Sequence, residues 1–122
     1  MTEKKITEAR LQYEIVQWSQ DNNYYCFHCP NGEKRDILTG NKLMAMGVKK
    51  GVPDLIYIMN NGRVVWVELK TTKGKLLKPQ VYFKNMLLQK NQNYVLVQAD
   101  SLQKAVDCLA PELSRISHLP LL

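Results

Sequence analysis

Apolar positions along the chain follow two rhythms. From about Ile6 to Asp21 they recur every three or four residues. Leu11, Ile15 and Trp18 form one stripe, which Ile6 or Ala9 extends, and this predicts a helix that stops at Asn22-Asn23. Tyr24 to His28 is a short aromatic run that predicts a strand broken by Pro30-Asn31-Gly32. Asp54 to Met59 and Arg63 to Lys70 are the two strongest strands. Asn60-Asn61-Gly62 between them is a tight-turn signal, because Asn and Gly tolerate positive φ. Pro79 suits the first turn of a helix reaching about Gln89, with Val81, Phe83, Met86, Leu87 and Leu88 as its apolar surface. Tyr94 to Gln98 predicts another strand, and Asp100-Ser101 caps a last helix striped by Leu102, Ala105, Val106 and Leu109. Pro111 is expected to interrupt that helix or start a further turn. The tail, Leu113 to Leu122, is apolar enough to dock on the body or on a partner subunit.

Two stretches complete the pattern. Lys42 to Met46 suits a short helix closed by Gly47, and Thr71 to Lys78 is a loop bearing lysine and glycine. The order is then α-β-(α)-β-β-α-β-α, which predicts an α/β fold with a small mixed central β-sheet flanked by helices. At 122 residues the chain is expected to be one domain, 1–122.

Composition and charge narrow the function. No apolar run approaches the ~20 residues that cross a bilayer, and the polar N-terminus lacks a signal-peptide core. Cys26, Cys29 and Cys108 are an odd set in a chain without an export signal, which predicts reduced thiols and a cytoplasmic location. The formal net charge is +6. Lys49, Lys50, Lys70, Lys73, Lys75 and Lys78 flank the acids discussed next, a placement that favours a polyanionic partner, nucleic acid, over lysines kept for solubility.

Asp54 opens one predicted strand, while Glu68 and Lys70 close the next. Residues two apart on a strand share a face, so Glu68 and Lys70 look the same way, and a tight hairpin sets Asp54 beside Glu68. Two neighbouring carboxylates repel, and a hard divalent cation relieves that repulsion. Mg²⁺ (or Mn²⁺) fits, with the backbone carbonyl of Leu69 as a further ligand. The chemistry such a site supports is phosphodiester hydrolysis, with Lys70 orienting the attacking water or stabilising the phosphorane. A plain ion pair between Lys70 and the acids is the competing reading, since short motifs recur by chance.

Pro53-Asp54 with Glu68-Leu69-Lys70 resembles the PD-(D/E)xK nuclease signature. Together with His28, Pro30-Asn31-Gly32, Met46-Gly47-Val48, Gly51-Val52-Pro53-Asp54-Leu55 and Gln80, it resembles the virus-type replication-repair nuclease (VRR-NUC) domain, from about Tyr13 to the last helix. The resemblance implies a restriction-endonuclease-like fold with an α-β-β-β-α-β core, in a stand-alone, phage-type member acting in a bacterial host cell. It also implies that Glu14 on the first helix completes the metal site and that Gln80 supports it; by themselves these two read as a solvated helix residue and a helix-start cap. The implied activity is a structure-selective DNA endonuclease similar to Holliday-junction resolvases and acting as a homodimer on branched or four-way DNA. Lys49, Lys50, Lys73, Lys75 and Lys78 would contact that DNA. Flap cleavage by the same fold, or nucleic-acid binding without catalysis, are the alternatives. His28 is expected near the substrate path.

Cys26-Phe27-His28-Cys29 looks like half a zinc site. Structural zinc needs four ligands, and strand alternation sends Cys29 away from Cys26 and His28, so buried thiols beside a strand are the expectation.

Overall fold

The structure, a computed structural model, describes residues 5–30 and 37–122. Among these the elements run α1 (Glu8–Asp21), β1 (Tyr25–His28), α2 (Ile37–Ala45), β2 (Leu55–Ile58), β3 (Val64–Lys70), α3 (Lys78–Gln89), β4 (Asn93–Gln98) and α4 (Leu102–Ser117). The Asn31-Gly32 part of the expected break lies outside the described residues. Helix α1 starts at Glu8 rather than Ile6, because the Thr7 hydroxyl accepts the Arg10 N–H and caps the first turn. Its stop is as expected: Asn23 takes the left-handed φ of 62° that lets the chain leave the helix.

The four strands form one sheet in the order β1-β2-β3-β4. β1–β2 and β2–β3 are antiparallel, and β3–β4 is parallel. A parallel neighbour needs a crossover, which α3 supplies. The result is the small mixed sheet flanked by helices expected of a restriction-endonuclease-like α/β fold.

Residues paired across strands share a face. On one face Leu55, Tyr57, Val65, Val67, Leu69, Val95 and Val97 pack with Leu11 and Ile15 of α1 and with Ala105, Leu109, Leu113 and Ile116 of α4. A polar thread crosses this core without being left unpaired. The Ser19 hydroxyl donates to the Ile15 carbonyl at 2.7 Å and lies 2.6 Å from the Tyr57 hydroxyl. The opposite face carries Ile56, Trp66, Glu68 and Lys70, and α3 covers part of it through a tilted Trp66–Phe83 contact with centroids 5.9 Å apart.

Two expectations change. The turn at Asn60-Asn61-Gly62 needs only one positive φ, at Gly62 (85°). Asn61 instead turns inward. Its amide donates to the carbonyls of Ile116 (2.7 Å) and Leu119 (3.1 Å), closing the C-terminal end of α4. Nor does Pro111 interrupt α4, which runs through it to Ser117. Proline inside a helix costs about 3 kcal/mol. Here the fully buried Ala105, Leu109, Leu113 and Ile116 continue one stripe across it, so burial outweighs the lost hydrogen bond. Beyond the helix the tail docks on its own hairpin. Leu122 N–H donates to the Asn61 carbonyl, and the Arg63 guanidinium donates to the Pro120 carbonyl.

One glycine decides where α3 sits. Gly51 has a φ of 80°, and a Cβ there would run into the backbone of Pro79 and Gln80. The bare backbone lets the turn before β2 lie against the start of α3. Gly51→Ala should therefore lower the unfolding free energy by roughly 2–4 kcal/mol in a urea titration. Gly40→Ala, where nothing lies within 4 Å of the added Cβ, should leave it unchanged or raise it by up to about 1 kcal/mol. A Gly51→Ala protein as stable as its parent would disprove the tight approach.

Candidate active site

The β2–β3 ladder pairs Leu55 with Val67, so the next position along sets Asp54 opposite Glu68 on the α3 face. The ladder stops there. Pro53 follows, and the Leu69 N–H that a further pair would have used donates to Asp54 Oδ2 at 2.8 Å. In an antiparallel pair the N–H and C=O of one residue turn to the same neighbour. The Leu69 carbonyl therefore faces the same gap as the Asp54 carboxylate. The Asp54 backbone is also held: its carbonyl accepts the Cys29 N–H (3.0 Å) and the His28 imidazole through Nδ1 (2.8 Å). That contact makes Nδ1 the protonated nitrogen of His28.

Glu68 is 2% exposed and Lys70 7%. Gln80, at the start of α3, reaches Glu68 with both ends of its amide in use. Its Oε1 accepts the Leu77 N–H at 2.7 Å, and its Nε2 donates to Glu68 Oε1 at 3.1 Å. One side chain thus caps the start of α3 and reaches the Glu68 carboxylate. Burial first, then the neighbouring Asp54 charge, raise Glu68 to about 8; Lys70 pulls the other way, and a hydrogen bond to Asp54 and the charge of Glu8 add smaller upward pushes. Near neutral pH the pair therefore keeps a proton that a cation would displace.

The acid that α1 brings to this cluster is Glu8, not Glu14. Glu8 Oε1 lies 3.9 Å from Lys70 Nζ. Glu14 pairs with Arg10 at 3.5 Å and lines a separate cleft with Tyr13, Gln17, Trp18, Asp21 and Leu102. Helical periodicity explains the difference: with Leu11 and Ile15 turned to the sheet, six residues of 100° each rotate Glu14 well away from Glu8. Sequence reasoning missed Glu8, although Thr7-Glu8 has the form of a cap followed by a first-turn acid.

The expected DNA-contacting lysines are all exposed and fall into groups. Lys49 and Lys50 line a groove with Pro79, Tyr82, Phe83 and Met86, while Lys73 and Lys75 line a cleft with Lys70 and Gln98. Lys78 opens α3. The loop carrying Lys73 and Lys75 is anchored by a residue that no motif flagged. Gln98 Nε2 donates to the carbonyls of Thr71 (3.0 Å), Thr72 (3.3 Å) and Gly74 (2.6 Å). Gly74 in turn sits against the Lys70 stem and the Glu8 carboxylate, so this loop helps bury Lys70.

Among the described residues no three His, Cys, Asp or Glu side chains are grouped so as to hold a metal, and Cys26, Cys29 and Cys108 form no disulfide. Two carboxylates and a carbonyl nonetheless suit Mg²⁺, which keeps several waters and takes one or two protein carboxylates.

The family model described as the VRR-NUC domain matches residues 4–101. A solved structure described as a "VRR_NUC domain protein" superposes with a TM-score of 0.73 at 21% identity, covering 91% of this chain and 91% of that one. A second, described as a "VRR_NUC domain", gives 0.58 at 17% identity, covering 84% of this chain and 94% of that one. At these identities the structural likeness shows the fold alone. No curated protein matches the sequence.

Two measurements probe the site. A folded-state Glu68 near 8, against an ordinary 4.5, stabilises the cation-free fold below pH 4.5, and that contribution is lost as pH rises through 8. Melting temperature should therefore fall across this window in the parent and fall less in Glu68→Gln; identical pH profiles would refute the raised Glu68. Gln98→Ala should make trypsin cut after Lys73 and Lys75 several-fold faster, and unchanged cutting would show that the amide does not hold the loop.

Proposed function

The chain belongs to the VRR-NUC family, and from that footing we propose that it is a Mg²⁺- (or Mn²⁺-) dependent endodeoxyribonuclease that hydrolyses phosphodiester bonds in branched DNA, in the manner of a Holliday-junction resolvase. The observation carrying this reading is the buried Glu68, set opposite Asp54 at the end of β3 with the buried Lys70 two residues on. Asp54, Glu68 and the Leu69 carbonyl would hold the cation, which when bound supplies charge neutralisation at the scissile phosphate and a more acidic water.

The chain's own residues do the rest. Lys70, confined between the loop and Glu8, presents its ammonium to the attacking water and to the charge that builds on the phosphorane. Gln80 fixes the Glu68 carboxylate in one orientation. Lys73, Lys75 and Lys78 grip the DNA backbone on one side, with Lys49 and Lys50 beyond α3. Exposed lysines make this contact strongly salt-dependent.

A homodimer completes the proposal, because two sites related by a two-fold axis match two symmetric strands. Two apolar surfaces are largely used within the chain: the α1 stripe lies in the core, and the tail backbone is tied to the hairpin. Better suited are the exposed Tyr25, Phe27 and Ile58 on the β1–β2 face, beside a β1 edge that carries no Lys, Arg, Asp or Glu. Among the described residues no helix is long and apolar enough to cross a membrane, and free thiols suit the cytoplasm. The working unit proposed is the single domain 1–122.

Cleavage of four-way junction, flap and linear duplex, with Mg²⁺ and with EDTA, tests this. Junctions should be cut in paired, symmetric positions, only with the cation. Asp54→Ala and Lys70→Ala should each lose at least about 100-fold in rate with an unchanged circular dichroism spectrum. Full activity in both variants would overturn the assignment. Flap preference would move the substrate, and binding without cutting by the parent would favour a non-catalytic role.

A further inference from the structure

Tyr94 on β4 is in register with Trp66 of β3, and Leu96 with Glu68. Its side chain therefore stands on the α3 face, on the diagonal from Glu68. A tyrosine in such a place usually buries its ring and keeps the hydroxyl wet. Tyr94 does not: its side chain is partly buried, with Lys84 Nζ 5.6 Å from the ring centroid, and its Oη is sealed from solvent with no hydrogen-bond partner among the described residues.

Its surroundings say what kind of partner is missing. Burial, then the charges of Glu68 and Asp54, push the phenol above its ordinary range, so the hydroxyl stays a donor. The ammonium of Lys84 offers no acceptor. A buried polar group without a partner is rare and destabilising in a natural fold. One kept on the diagonal from Glu68 is explained when its acceptor forms only as the site is loaded. Gln80 occupies Glu68 Oε1. A carboxylate oxygen has lone pairs enough to meet a cation and a hydroxyl together.

We propose that Tyr94 is a positioning residue of this site: its hydroxyl donates to the Glu68 oxygen that Gln80 does not hold, when that carboxylate is bound to a divalent cation. The inference rests on the cation reading of Asp54 and Glu68 given above. It makes Tyr94 a partner that orients a ligating carboxylate, a kind of contact whose loss weakens metal binding.

Mn²⁺ titrated calorimetrically into the full chain tests it, with the parent, Tyr94→Phe and Asp54→Ala compared. The parent should bind and Asp54→Ala should not. Tyr94→Phe should bind about tenfold more weakly. Without cation, Tyr94→Phe should melt at the parent's temperature or up to about 5 °C above it, since the change removes an unpaired hydroxyl. The parent's tyrosine absorbance should shift on Mn²⁺ addition, and that part of the shift should vanish in Tyr94→Phe. Equal Mn²⁺ affinity in parent and Tyr94→Phe would overturn the role of Tyr94 while leaving the cation site standing. A lower melting temperature for cation-free Tyr94→Phe would also overturn it, by showing that the hydroxyl already has a partner. No binding by the parent would remove the cation site, and the inference with it.

Discussion

Everything at the candidate site depends on the register of β2 against β3. Pairing Leu55 with Val67 sends Val65, Val67 and Leu69 to the core and leaves Glu68 and Lys70 on the other face, with Asp54 opposite Glu68. A slip of one residue would exchange the faces, burying charge among the α1 and α4 side chains and exposing the core strand. The apolar alternation of β3 makes that slip costly. The Asp54 side chain then ends the ladder by taking the Leu69 N–H. Fold and site are therefore specified by the same few pairings.

Holding a nearly inaccessible carboxylate next to another is unfavourable, and the surroundings show how it is tolerated. Gln80 donates to Glu68, Lys70 offsets part of the charge, and the pair retains a proton. Each helper comes from a different element and arrives by a distinct device. Gly51 lets the start of α3 close on the turn before β2, which places Gln80, and Gln98 gathers three loop carbonyls beside Lys70. Gln80 and Gln98, remote from the acids in sequence, thus hold the groups around them in place.

The far end of the hairpin is tied down with equal economy. Asn61 makes the turn and also caps α4, while the tail returns to Asn61 and Arg63. This anchors the strands that carry the acids at the end remote from the site. It also explains why α4 runs on past Pro111: the helix is held by burial along its stripe and by contacts at its end, which together outweigh a local breaker.

Local pattern along the chain was enough to give the order of elements, the two faces of β3 and the placing of Asp54 beside Glu68 and Lys70. These rest on local rules: period two in strands, period three to four in helices, and motif spacing along one hairpin. Which acid of α1 lies beside Lys70 was settled by tertiary packing, because the stripe of Leu11 and Ile15 orients the helix but not which of its flanks reaches the end of β3. Tyr94, Gln98 and Gly51 were illegible for the same reason. Their roles depend on which strand lies beside which, and on how closely one backbone approaches another, and those are long-range distances that no local pattern encodes.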